Sequence, residues 1–511
     1  MAAKTFTRDE VAKNNNEDSL WIIIDSKVYD LTDFAAAHPG GEHVLKQVAG
    51  KDATRDFYQM HRHEVLTKYA DLVIGAIEGE KPKIITRQPG ELDVTPYAEP
   101  AWLRKPFKNP YYNDSHFKLQ KEVRKFVDEV VKPEALRIED SGEHPTQEFW
   151  DKLYQSGLGP MRLGPGKHLY GRKLFADIKP EEFNYFHELV VAQEFSLTRG
   201  RACDDAFGGG TIIGLPPVLN FCKNEALKKQ VIEEVLTGKT RIALAITEAF
   251  AGSDVAGLRT TAVKTPDGKH YIVNGTKKWI TNGTFSNWFT VGVNTGKGLS
   301  VLLIPRGEGV ETTQIKTSYS SAAGTAYITF DNVKVPVENL LGQENKGIHV
   351  ILSNFNHERW VMCAGITRAQ RNVITECMKW CNQRLVFGKP LISQPVIRQK
   401  IARMLSLNEA CQNWLEHITY QMCHMSYQQQ AIHLAGPIGL LKNFITRAST
   451  EIADQSVQIF GGRGITKTGM GSLIESFNRC YKFDSILGGS EEILADLAVR
   501  QAFKNFPKAM L

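Results

Sequence analysis

Two histidines in a fixed local setting constrain this chain more than any other feature. In His38-Pro39-Gly40-Gly41, Pro39 fixes its own φ and the two glycines permit a tight bend, so His38 is left projecting from a corner. Phe57-Tyr58-Gln59-Met60-His61 follows as a separate helical run with His61 at its end. Leu20-Trp21-Ile22-Ile23-Ile24 reads as a buried strand, and Val28-Tyr29-Asp30-Leu31-Thr32-Asp33-Phe34 as a second short strand leading into a pocket. Histidines presented from two elements at this spacing can fill both axial positions of a haem iron, which then moves electrons and has no open place for oxygen. His63 is the rival second ligand and reads as a solvated helix residue.

The run from about Thr5 to Glu80 resembles the cytochrome b5 haem domain. That resemblance implies a small α+β domain over residues 1–80 that binds haem b, with His38 and His61 as the axial ligands of its iron.

At 511 residues, 42% of them hydrophobic, the chain has material for several packed cores and should divide into domains. No apolar run reaches the eighteen or so residues that span a bilayer, and Met1 to Glu10 has neither a secretory apolar region nor an Arg-rich transit character. A soluble intracellular protein is expected. All eight cysteines lie from Cys203 onward with no Cys-x-x-Cys and no zinc spacing, which fits a reducing compartment. Cys377 with Cys381, and Cys423 beside His424, read as packing.

The net charge of +6 hides an asymmetry. Residues 1–80 carry 9 Lys/Arg against 14 Asp/Glu, which leaves +11 on the remainder. An acidic first module on a basic body favours docking between them or onto a basic partner, or is simply a solvated surface. The basic excess is dispersed, without aromatic-interleaved patches, so nucleic acid is not an expected partner. Residues 81–110 hold six prolines (82, 89, 96, 100, 106 and 110) and read as an extended linker that lets the first module move over the body.

From Tyr111 the pattern turns helical, around 117–131, 146–156, 180–194 and 226–237. Residues 241–338 change character: Ala243 to Ile246, Tyr271 to Val273, Trp288 to Val293 and Ser300 to Ile304 read as strands between Gly, Asp and Asn turns. Long helices resume after Gly347. Within this order lie Ala245-Ile246-Thr247-Glu248-Ala249-Phe250-Ala251-Gly252-Ser253-Asp254-Val255-Ala256-Gly257 and Trp279-Ile280-Thr281-Asn282-Gly283.

Together these two stretches resemble the acyl-CoA dehydrogenase flavoprotein family, over essentially all of residues 111–505. The resemblance implies that Ile246 and Thr247 line an FAD ring, that Ser253 reaches cofactor and thioester ligand, and that Trp279 and Thr281 cover the ring. Short hydroxyls can donate to ring heteroatoms and an indole face can pack on the ring. Arg384-Leu385-Val386-Phe387-Gly388 and Gln458-Ile459-Phe460-Gly461-Gly462 resemble segments that hold the diphosphate and adenosine end of a neighbouring subunit's FAD. By the same resemblance Arg384, Phe387, Gln458, Gly461, Gly462, Ser490 and Glu492 are cofactor contacts, and a homodimer or homotetramer is implied.

The departure from the family pattern is at Gly488, which stands where many members carry the catalytic glutamate. Asn356-His357-Glu358-Arg359 supplies a carboxylate at the position used by members that move the base to this helix, so Glu358 is assigned as the base, with Arg359, Gly488 and Ser253 at the substrate. Glu491 and Glu492 read as exposed alternatives.

The expected fold is therefore multidomain α+β. A cytochrome b5-like domain (1–80) and a linker (81–110) precede an N-terminal helical domain (111–240), a β-barrel-like middle domain (241–345) and a C-terminal four-helix bundle (346–511). The expected function is FAD-dependent α,β-dehydrogenation of an acyl-CoA to the trans-2-enoyl-CoA, with haem as electron acceptor or relay and a possible electron-transfer partner protein. An oxygen-using oxidase-like enzyme and a non-catalytic flavin/haem module are the alternatives. Cytoplasm or peroxisome is the expected location, the latter because Ala509-Met510-Leu511 loosely resembles a peroxisomal address.

Overall fold

The computed structural model describes residues 4–84, 86–198, 201–504 and 506–507; the terminal Ala509-Met510-Leu511 lies outside them. The first domain is a five-stranded sheet in the order Thr5–Phe6, Val73–Ile77, Lys27–Asp30, Ser19–Ile24, Asn15–Asn16, with only the first pair parallel. The second short strand ends at Asp30, and the residues from there to Phe34 lead away from it. Asp30 Oδ1 accepts from the Thr32 N–H (3.0 Å) and hydroxyl (2.6 Å), and this local turn ends the strand. Helices α1 (Glu42–Val48) and α2 (Thr54–Met60) pack on the sheet, with Leu45 of α1 and Tyr58 of α2 in one core with Leu20, Ile22 and Tyr29.

Residues 81–110 correct the expected free linker: they form a strap pinned at both ends. Asp25 accepts from the Lys83 and Ile84 N–H groups, and Arg87 forks onto Asp128. Farther on, Glu99 is buried at 2% exposure between Arg124 and Arg368, and Trp102 stacks on Tyr112 with ring centroids 4.0 Å apart. Prolines space the chain, but the buried charges and the indole between them hold it down.

Helix α3 (Asp114–Phe126) starts earlier than its apolar pattern suggests, because Asn113 caps it by accepting from the Ser115 N–H. Helix α4 (Tyr185–Phe195) starts later than the expected residue 180, since Asn184 caps the Phe186 and His187 N–H groups. The β region is an eight-stranded sheet whose longest ladder pairs His270–Ile280 with Ala326–Pro336. The second of these strands escapes sequence reading because Asp331-Asn332 looks like a turn. The structure absorbs it as a register shift between Phe330 and Val333, with Asn332 at φ 51°.

The C-terminal region packs α5 (Phe355–Gln383), α6 (Pro395–His424) and α7 (Ala435–Phe460) together, with α8 (Ser472–Asp484) and α9 (Glu491–Lys504) against α7. Its core, including Trp360, Met404 and Leu441, is continuous with that of α3 and α4. Cys377 and Cys381 are buried in it as packing residues. Among the described residues no helix is long and apolar enough to cross a membrane.

Candidate functional site

In the first domain the His38 and His61 rings lie with centroids 6.0 Å apart and planes 78° to each other. A metal bound to an imidazole nitrogen at about 2.0 Å lies roughly 3 Å from that ring's centre, so this gap fits one iron between two rings. The His38 Nδ1–H donates to the Gly41 carbonyl at 3.1 Å, which leaves Nε2 as the ligating nitrogen. Burial, then the His38 charge, lowers the pKa of His61 and favours the neutral imidazole a metal needs. His63 is engaged elsewhere: its Nδ1 lies 2.7 Å from the Tyr58 hydroxyl, with the two rings stacked.

A second centre lies about the start of α5. A cavity of about 840 Å³, counting its open mouth, is bounded by α4 and α5, with Thr281 and Glu358 both in its wall. Burial raises the pKa of Glu358, opposed by the Arg359, Lys442 and His357 charges and reinforced by Asp205. The chain turns over this carboxylate at Gly488 (φ 65°) and Gly489 (φ 102°), both in the left-handed region that favours glycine. The turn is tied by its carbonyls: Arg359 Nε donates to Gly488 O at 2.7 Å and Lys442 Nζ to Gly489 O at 2.9 Å. A Cβ on Gly488 would stand 3.5 Å from Glu358 Oε1, so the two positions address one point in space. Arg359 thus holds the turn. Glu491 is buried at 4% exposure, a correction to its expected exposure, whereas Glu492 is exposed.

The loop after Ile242–Ala245 is held from beneath by residues that sequence reading passed over. Buried Glu248 accepts from the Arg259 and Thr260 N–H groups and from the Thr260 hydroxyl, and it pairs with Lys277 at 2.8 Å. Lys277 also donates to Ile246 O, and the Lys278 N–H to Thr247 O, which fixes Ile246 and Thr247 beside the Trp279 strand. Trp279 (φ 61°) and Asn282 (φ 60°) bracket Thr281 in strained backbone. Asn282 offsets this strain by donating to Asp205 O and Ala323 O while accepting from the Gly210 N–H at 2.7 Å. Trp279 is 48% exposed, and Ser253 is exposed on the neighbouring loop. A bound ring has an apolar face available there. The signal for Asn282 was present in its motif; Lys442 had none.

Arg384, Phe387, Gln458, Gly461 and Gly462 lie away from this cavity, at the far ends of α5 and α7. Phe387 and Gly388 form the tip of the hairpin Leu385–Val386/Lys389–Pro390, and Phe387 is 94% exposed. A Cβ at Gly461 or Gly462 would meet nothing within 4 Å, so the backbone there is open to close approach.

The two centres are linked. Arg62, next to His61, pairs with Glu376 of α5 at 2.8 Å, and Arg463, stacked over Trp380, meets Met60 Sδ at 3.6 Å. The first domain is docked on the C-terminal helices.

Comparison with known proteins gives the same division. Residues 7–78 match the family model for a cytochrome b5-like heme/steroid binding domain. Residues 113–239, 243–333 and 345–503 match the N-terminal, middle and C-terminal domains of acyl-CoA dehydrogenases. An acyl-CoA dehydrogenase of Emericella nidulans is 38% identical over 426 residues, 81% of this chain and 97% of that protein. One of Alternaria alternata is 35% identical, over 80% and 96%. Among solved structures, an acyl-CoA dehydrogenase from Geobacillus kaustophilus superposes with a TM-score of 0.68 at 24% identity, covering 77% of this chain and all of that one, a likeness of fold.

Proposed function

The chain belongs to the acyl-CoA dehydrogenase family and carries a cytochrome b5-like domain, and from that premise we propose that it oxidises an acyl-CoA thioester to the trans-2-enoyl-CoA and passes electrons to its own haem domain. The observation that carries the first half is Glu358, a half-buried carboxylate with a raised pKa at the wall of the cavity, facing the Gly488 turn.

Burial makes Glu358 a stronger base, and Oε1, the oxygen on the Gly488 side, is the atom that takes the α-proton. Arg359 and Lys442 hold the turn by its two carbonyls, so the Gly488 N–H is set as donor to the thioester oxygen as enolate charge develops there. Bound FAD, against Ile246, Thr247, Ser253, Trp279 and Thr281, supplies the acceptor for the β-hydride. Its far end would lie on Arg384, Phe387, Gln458, Gly461, Gly462, Ser490 and Glu492, in part from a neighbouring subunit. Thr281, in the cavity wall, orients that ring, and Asn282 and Glu248 keep the two loops from relaxing.

The His38–His61 pair favours haem over a steroid for the first domain: two imidazoles at this separation suit an iron and are of no use to an apolar ligand. Haem held there supplies a one-electron acceptor. Mixing the holoenzyme with acyl-CoA under nitrogen tests both halves. Flavin absorbance should bleach and haem should then be reduced. Haem that stays ferric while flavin bleaches removes it from the path, and peroxide release in air would point to an oxidase. Absence of bleaching with every acyl-CoA would leave the non-catalytic reading that Gly488 suggests.

A further inference from the structure

The cavity at Glu358 adjoins a second one of about 460 Å³, again counting its open mouth, and Ser196 and Asp204 are in the walls of both. Along α5 the first cavity is lined by Glu358, Met362 and Gly365, and the second by Ile366, Ala369 and Val373. Spacings of three and four residues keep this stripe on one helix face, so the two chambers follow one wall. Leu473 and Phe477 of α8 close the second from the other side.

The junction is built to yield. Ser196 Oγ donates to Asp204 Oδ2 at 2.9 Å, but it also lies 3.0 Å from the Ala192 carbonyl one turn back on α4. Turning from one acceptor to the other costs the hydroxyl no hydrogen bond. Gly365 gives it room: a Cβ there would stand 2.9 Å from Ser196 Oγ.

Resting on the dehydrogenase reading above, we infer that the acyl chain runs from Glu358 past Ser196 and Asp204 into the second chamber, so that the substrate is a long-chain acyl thioester. At about 1.5 Å of helix rise per residue the junction at Gly365 is roughly 10 Å from Glu358, and Ala369 roughly 16 Å. An extended chain advances about 1.2 Å per bond, which puts the crossing near the ninth carbon and the chain end near the fourteenth. Thr198, Asn372 and Asp484 join Ser196 and Asp204 in the lining of the second chamber, which is mixed rather than apolar, so each methylene gains less there than in the first.

Calorimetric titration of the FAD-loaded protein with trans-2-enoyl-CoAs, which bind without turning over, tests this. Affinity should rise about fourfold per added methylene up to about nine carbons and more slowly, about twofold, up to about fourteen. Ala369→Phe fills the second chamber and should lower the affinity ratio of a fourteen-carbon to an eight-carbon ligand by at least about tenfold. Asn372→Leu, one turn on, should raise that ratio, which keeps the test decisive if the phenylalanine misfolds. Affinity that stops rising near nine carbons, or a ratio unmoved by both substitutions, overturns the two-chamber path and leaves the dehydrogenase reading standing. Failure of any enoyl-CoA to bind overturns both.

Discussion

At the scale of residues, everything turns on which groups keep or lose water. Glu358 is half-buried in a cavity wall, so its pKa lies above the ordinary carboxylate range, chiefly through the water it has lost. A base must be deprotonated to act, so flavin bleaching should rise with pH through a step lying above that range. Glu358→Gln should abolish the step and slow bleaching by at least about a hundredfold, with acyl-CoA still bound. Adding Gly488→Glu should recover part of the rate, because its Cβ would stand 3.5 Å from the present Oε1. The left-handed φ and a 2.9 Å approach to Met362 Sδ should cost that variant about 1–3 kcal/mol in denaturant titration. In the haem domain, His38→Ala and His61→Ala should each remove the low-spin absorption spectrum. His63→Ala should keep it, since His63 is bonded to Tyr58. Loss of the spectrum in His63→Ala alone would move the second ligand.

At the scale of elements, the strap shows how composition misleads. Six prolines between 81 and 110 announce an extended segment, and extended it is, but Glu99 is held between Arg124 and Arg368 with 2% exposure. Glu99→Ala would leave two guanidinium groups without their shared carboxylate in the interior. It should lower unfolding free energy by about 3–5 kcal/mol, read from denaturant midpoints. The arginines hold the Glu99 carboxyl well below the usual range, against burial. A depressed carboxylate stabilises fully above the unfolded-state pKa and loses that contribution as pH falls towards the folded one. The wild type should therefore lose stability faster than Glu99→Ala on acidification below about pH 4.

At the scale of the whole molecule, α5 joins the two centres, with Glu358 near its start and Glu376, the partner of Arg62, about 27 Å farther along at the rise of an α-helix. Only residues 85 and 86 separate the strap's tie to the haem domain from its tie to the body, so that domain is clamped rather than swinging. Glu376→Arg should repel Arg62 and speed proteolytic cutting in the strap severalfold; an unchanged digestion rate would mean that the strap alone holds the domain. Much of the protein is legible in its amino-acid order alone. Turn chemistry at His38-Pro39-Gly40-Gly41, the helix–sheet–helix order and the two flavin-loop motifs are local in sequence, and local sterics and periodicity suffice to read them. The meeting of Glu358 with Gly488, the grip of Lys442 and Arg359 on one turn, the burial of Glu491 and the pinning of the strap are decided only by the tertiary fold. Each depends on groups far apart in the chain losing water together, and no local pattern records which distant partner will share that desolvation.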